Sequence, residues 1–179
     1  MTNNQDFAEK ILTSFKETGV RKLVGKGEYL TREGEVERNF YLVESGAVRV
    51  FYLTEHEEHV IRLGYAGSFI NSLSSFIKET PSEFYIEAIR KTAVRVMNKH
   101  TLMQLAYANT ENLQQYTVLL EALVTQQIDR EIDLLIASPS ERLQRVLSRS
   151  PDLFQHVPLK YIASYLRMTP ETLSRIRNS

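Results

Sequence analysis

The sequence predicts an α+β protein: an N-terminal β-roll with flanking helices, a long dimerisation helix, and a C-terminal helix-turn-helix. Three observations predict it. Residues 20–99 carry short runs rich in Val, Tyr and Phe, punctuated by glycines, as in a compact roll of strands. Residues 111–136 repeat apolar side chains at helical spacing. Residues 159–176, LKYIASYLRMTPETLSRI, put small, apolar and capping residues where two tightly crossing helices need them.

The bulk properties frame this reading. A chain of 179 residues, 42% hydrophobic and 25% charged, suffices for a sensor domain and a small second one. It has no cysteine, which excludes disulfides, thiol redox chemistry and cysteine-held iron–sulfur clusters. No long uncharged apolar run predicts a membrane span, and the polar stretch Met1 to Lys10 lacks the basic start and apolar core of a secretory signal. A cytoplasmic protein without membrane contact is expected. The net charge of zero hides an asymmetry. From Ser138 onward stand seven bases (Arg142, Arg145, Arg149, Lys160, Arg167, Arg175, Arg177) and three acids (Glu141, Asp152, Glu171), net +4, against net −4 for the rest. A basic tail on an acidic body points to a polyanion met by the tail, although solvated helical faces are often arginine-rich.

In chain order, residues 5–18 read as a helix with Phe7, Ile11, Leu12 and Phe15 on one face and Gly19 as its stop. Strand runs follow around Val24, Phe40 to Val43, Val48 to Leu53 and Val60 to Leu63, and Ala88 to Met97 reads as the last strand. His56-Glu57-Glu58-His59 looks metal-like, but its histidines are three apart between two strand runs, so an exposed hairpin turn is the better reading. No metal, cofactor or catalytic pair is recognisable, and an enzyme is not expected.

Helical character returns at Leu102, Leu105 and Ala106, and Asn109-Thr110-Glu111 can cap the long helix. In that helix Leu113, Leu120, Gln127 and Leu134 recur every seven residues, with Tyr116, Leu123 and Arg130 as the next row, backed by Val124, Ile128 and Glu131. This approaches a two-stranded coiled-coil seam with Gln127 setting register. A helix packed on its own β domain fits one face equally well, and a helix apolar on two sides does both. Ser138-Pro139-Ser140 ends it and opens another helix, with Pro139 in the first turn. The expected division is 1–108 (sensor roll), 109–137 (dimerisation helix) and 138–179 (helix-turn-helix).

Within the last unit, Ala163 is the small residue at the crossing, and Ile162, Leu166, Met168, Leu173 and Ile176 line the shared core. Thr169 caps the second helix, about Pro170 to Asn178, with Glu171 near its positive end. Arg167 stands in the turn where glycine is common, and a left-handed backbone there costs about 1 kcal/mol. Glu171 and Arg175 are four apart and share a face. That pair can read cytosine and guanine edges, or form an ordinary intrahelical ion pair. Thr169 and Thr172 can touch phosphates or simply cap.

With these parts in this order, the chain resembles the cyclic-AMP receptor protein (Crp/Fnr) family of bacterial transcription regulators over nearly its whole length. The resemblance is carried by the glycines Gly27, Gly34, Gly46 and Gly67, by Gly67-Ser68-Phe69-Ile70, by the long helix, and by Thr169-Pro170-Glu171-Thr172-Leu173-Ser174-Arg175-Ile176. It implies a cyclic-nucleotide-binding-like jelly roll, a two-fold homodimer, a palindromic operator in double-stranded DNA and contact with RNA polymerase. It makes Glu171 and Arg175 base readers. Pro170 departs from members with arginine there. The sensor departs further: Asn71-Ser72 align with the family's Gly-Glu pair and Ser82-Glu83 with its Arg-Ser pair. No arginine remains for a cyclic phosphate and Glu83 would repel it. No cyclic AMP site is expected. The alternative is an effector-gated sensor of another small molecule that DNA binding requires. Phe69, Phe76, Phe84 and Tyr85 could line an apolar pocket, with core packing the stronger reading. The β-hairpin wing of many members has no counterpart before Ser179.

Overall fold

The computed structural model describes residues 2–178, with side chains from Lys10 onward. The expected core role of Phe7, and Met1 and Ser179, lie outside what it describes. Helix α1 (Thr2–Thr18) buries Ile11 and Phe15 against the roll. Two four-stranded antiparallel sheets follow. One runs in the order β1 (Val20–Val24), β8 (Thr92–Asn98), β3 (Asn39–Ser45), β6 (Phe69–Ile70); the other in the order β2 (Tyr29–Thr31), β7 (Tyr85–Ala88), β4 (Ala47–Leu53), β5 (Glu58–Tyr65).

The strands alternate so that Tyr41, Val43, Val48, Val50, Ile86 and Val94 meet between the sheets as one apolar cluster. Gly46 makes the turn from β3 to β4 at φ +85°; a Cβ there would lie 2.5 Å from the Lys91 carbonyl oxygen, so only glycine fits. The expected single strand from Ala88 to Met97 is in fact two ends: Ala88 closes β7 and Thr92 opens β8. Ile89 leaves the sheet because its side chain packs with the C-terminal helices. Short α2 (Leu73–Lys78) covers one end of the roll, and α3 (Lys99–Ala106) begins where the Asn98 side chain accepts the Thr101 N–H.

Helix α4 (Thr110–Leu135) starts at Asn109, whose side chain accepts the Asn112 N–H. It has two apolar sides. Leu119, Leu123 and Arg130 turn to the protein's own roll and are buried. On the opposite side Leu113, Val124, Ile128, Ile132 and Leu135 form an exposed stripe. The row Leu113, Leu120, Gln127 and Leu134 does not coincide with this stripe: Leu113 and Gln127 are exposed, and Leu120 and Leu134 are partly buried. A strict seven-residue row drifts around a straight helix. The apolar stripe instead follows steps of four and eleven, Leu113–Val124–Leu135 and Val124–Ile128–Ile132.

After the break at Ile136–Ala137 come α5 (Pro139–Arg149), α6 (Leu153–His156), α7 (Leu159–Tyr165) and α8 (Pro170–Arg177). Ser138 caps α5 by accepting the Glu141 N–H, with Pro139 in the first turn. The core of this unit, Leu143, Val146, Leu153, Val157, Ile162 and Leu173, also takes in Ala47 and Ile89 of the roll. Among the described residues no helix is long and apolar enough to cross a membrane.

Candidate nucleic-acid interface and roll cassette

The pair α7 and α8 is built as its residue types require. Ala163 is fully buried at the crossing, and Ile162, Leu166 and Leu173 around it are at most 1% exposed. Met168 and Ile176 pack at the edge of the same cluster. Arg167 adopts φ 54°, the left-handed turn conformation. Its strain is held by the Met168 N–H bonding the Ala163 carbonyl at 3.0 Å, and by Arg142, which donates to the carbonyls of Leu166 and Ile136. Arg142 thus ties the α4–α5 break to the α7–α8 turn.

Thr169 accepts the Thr172 N–H at 3.2 Å and donates to the Thr172 hydroxyl at the same distance, so the capping role of Thr169 is made. Thr172 is half-buried. Glu171 and Arg175 are exposed on one face, and no ion pair joins them among the described residues. Both side chains are therefore open to a partner. The tail's basic excess is less available than its count suggests. Asp133, 2% exposed, pairs with Arg145 at 3.0 Å and with Arg149, and Arg142 is engaged with carbonyls. Lys160, Arg175 and Arg177 remain exposed around α7 and α8.

The unit is docked on the roll. The Ser164 hydroxyl accepts the Val60 N–H at 3.1 Å, and Arg167 bonds His59. The Arg49 guanidinium, held by Glu58 at 2.5 Å and Glu87 at 2.7 Å, lies 4.6 Å above the Tyr161 ring. His156 stacks on Tyr65 at 4.6 Å. Arg130 donates to the Val60 carbonyl at 2.9 Å and lies over Tyr165. The His56–His59 segment is the expected hairpin only in part: its turn is Thr54–Glu57, and His59 already belongs to β5. Among the described residues no cluster of metal-capable side chains occurs.

At the cassette positions the structure brings Ser72 and Ser82 together, hydroxyl to hydroxyl at 2.9 Å, both buried. Ser82 also holds the Phe84 backbone, accepting its N–H at 3.0 Å and donating to its carbonyl at 2.9 Å. Buried Asn71 lies beside Ser72 in sequence, and its side-chain nitrogen has no partner among the described residues. Glu83 is exposed, so its repulsion of an anion is screened by solvent, and the missing arginine is the stronger obstacle. None of Asn71, Ser72, Ser82 and Glu83 is itself a cation that could offset a phosphate. The four aromatics do not share a pocket. Phe69 and Phe76 pack on Phe40 at 6.0 and 5.6 Å, Phe84 meets Tyr52 at 6.4 Å, and Tyr85 stacks on Phe51 at 5.0 Å.

Sequence reasoning missed Arg49, Asp133, Tyr161 and Ser164. Arg49 carried a usable signal, a lone charge in the run Val48 to Leu53; Arg130 did likewise among Tyr116 and Leu123.

Residues 21–109 match the sequence model of the cyclic nucleotide-binding domain family. No curated protein matches the chain in sequence. Solved structures do match it in fold. FixK2 from Bradyrhizobium japonicum is 21% identical, with 90% of this chain and 83% of that one aligned at TM-score 0.72. The c-di-GMP-responsive global regulator CLP of Xanthomonas campestris is 17% identical over 95% of this chain and 90% of that one, TM-score 0.67. The Thermus thermophilus catabolite activator protein is 22% identical over 95% and 81%, TM-score 0.57. At these identities the likeness is one of fold.

Proposed function

We propose that the chain, whose roll matches the cyclic nucleotide-binding domain family and whose fold is shared with FixK2 and the catabolite activator protein, is a Crp/Fnr-type sequence-specific DNA-binding transcription regulator acting as a homodimer. The carrying observation is α8. It is capped at Thr169, held from behind by Leu173, and presents Glu171 and Arg175 outward and unpaired with each other. A helix so mounted enters a major groove by its N-terminal turn. Arg175 then bonds a guanine edge, Glu171 accepts from a cytosine amine, and Thr169, Thr172 and the helix N-terminus meet phosphates. Residues 138–179 are the DNA-binding unit, 109–137 the dimerisation helix and 1–108 the sensor.

The exposed stripe of α4 supplies the homodimer, since two such helices bury it symmetrically. Two recognition helices then face half-sites about 34 Å apart on a palindromic operator. The regulator works in the cytoplasm beside RNA polymerase and does not bind cyclic AMP. Selection from a random DNA pool tests the reading. A two-fold palindrome is expected, and Arg175→Ala should cost about 1–3 kcal/mol at one base position. Intact sequence preference in that variant refutes the assignment. Val124→Glu with Ile128→Glu should leave a folded monomer in sedimentation; a persistent dimer refutes the α4 interface.

A second reading has its own observation. Ser164, Tyr161 and Arg167 of the DNA-binding unit are fastened to the roll. In this reading DNA binding needs an effector that changes that docking.

A further inference from the structure

Where β5, α4 and the C-terminal helices meet there is a cavity of about 440 Å³. Its charged lining has one sign. Arg62 of β5, Arg130 of α4 and Arg149 of α5 line it, and no carboxylate among the described residues does. Arg149 is neutralised by Asp133. The other two form no ion pair among the described residues, and Asp133 acts on Arg130 only at longer range. Arg62 donates to the Gln126 side-chain oxygen at 2.7 Å and Arg130 to the Val60 carbonyl at 2.9 Å, and neither meets a carboxylate among the described residues. Arg130 is 7% exposed, and its Nε–H has no acceptor among the described residues.

A buried guanidinium with an unused donor is costly, because water that would have satisfied it has been removed. Burial pushes both Arg62 and Arg130 below the ordinary arginine range. An oxyanion between them would accept the free Nε–H and offset both charges through charge-assisted bonds. The cavity's remaining wall includes Leu123 and Leu153, which would cover an apolar body. Its volume lies in the usual range for small-ligand sites, about 300–1,000 Å³.

We propose that this junction binds a small organic anion, with a phosphate or carboxylate head on Arg62 and Arg130 and its body against Leu123 and Leu153. The site is separate from the roll cassette: Asn71, Ser72 and Ser82 do not line it. Its walls come from the roll, the long helix and the C-terminal unit, so occupancy favours one placement of that unit over others. That regulatory consequence rests on the proposed DNA binding; the ligand site does not.

Calorimetric titration of the full chain tests it, with adenosine 5′-monophosphate as the phosphate probe and phthalate as the carboxylate probe. One of the two should bind saturably, once per chain, with Kd under about 1 mM. Arg130→Gln and the half-buried Arg62→Gln should each weaken it by about tenfold or more. Arg62→Gln keeps the test valid if Arg130→Gln fails to fold. Neither probe binding, or binding unchanged in a folded Arg62→Gln variant, overturns the site. Anion binding with no DNA selection, even when the selection is run with the bound probe present, keeps the site and refutes the regulator; DNA selection without anion binding does the reverse.

Discussion

Inside the roll, and between the roll and the C-terminal helices, the protein uses opposite chemistry. The sheets meet as carbon on carbon, with Val43, Val48, Ile86 and Val94 completely buried. Ala47, Leu63, Tyr65 and Ile89 reach the C-terminal core, but beside them the junction is arginine on ring, hydroxyl on amide and guanidinium on imidazole. Apolar contact is non-directional and holds the roll as one packed scaffold. Polar contact is directional and charge-dependent, so it is where a ligand or a charge change can select another arrangement. The roll is built to stay and the junction to respond.

Four changes sharpen that contrast, the largest effect first. Phe40→Ala removes a fully buried ring packed among Phe15, Phe69 and Phe76. It should cost about 3–5 kcal/mol in urea unfolding, spread over the whole chain. Asp133→Asn takes the buried counter-charge from Arg145 and Arg149, whose side chains remain 37% and 33% exposed. Solvent softens that loss, and about 2 kcal/mol is expected, with hydrogen exchange quickening in α5 before the roll. If the roll quickens equally, the two regions are one cooperative unit.

Thr169→Ala removes the α8 cap and should cost about 1 kcal/mol, seen as fraying at Pro170 and Glu171. The smallest effect lies at the roll's polar exception, Glu37. Burial raises its carboxyl pKa, against bonds from Thr31, Asn39 and Tyr41 that lower it. The folded state therefore favours the neutral acid. Its contribution is full below the ordinary carboxylate pKa and is lost as pH rises through the raised value. Glu37→Gln should flatten the decline in stability on that side of the ordinary carboxylate range. An unchanged pH profile shows that Glu37 keeps an ordinary pKa.

Legibility in the sequence followed the range of the interaction. The caps at Asn109, Ser138 and Thr169, the left-handed Arg167 and the buried Ala163 are local or nearly local, and each was readable from neighbours within a few residues. The face of α4 was not. Leu123 and Val124 are adjacent and equally apolar, and only packing against the roll separates the buried one from the exposed one. The arginine count of the tail likewise overstated its free charge, because Asp133 lies in α4 and reaches Arg145 and Arg149 only after the chain turns at Ile136.

By itself, then, the sequence determined the order of roll, long helix and terminal helix pair, and the residues exposed on α8, since periodicity, turn residues and caps act over one or two turns of chain. Tertiary structure alone decided which side of α4 stays open, which arginines remain unpaired, and that Arg62 and Arg130 line one cavity. Those two are 68 positions apart in sequence. No short-range pattern records their meeting, because it exists only once β5 and α4 have packed together.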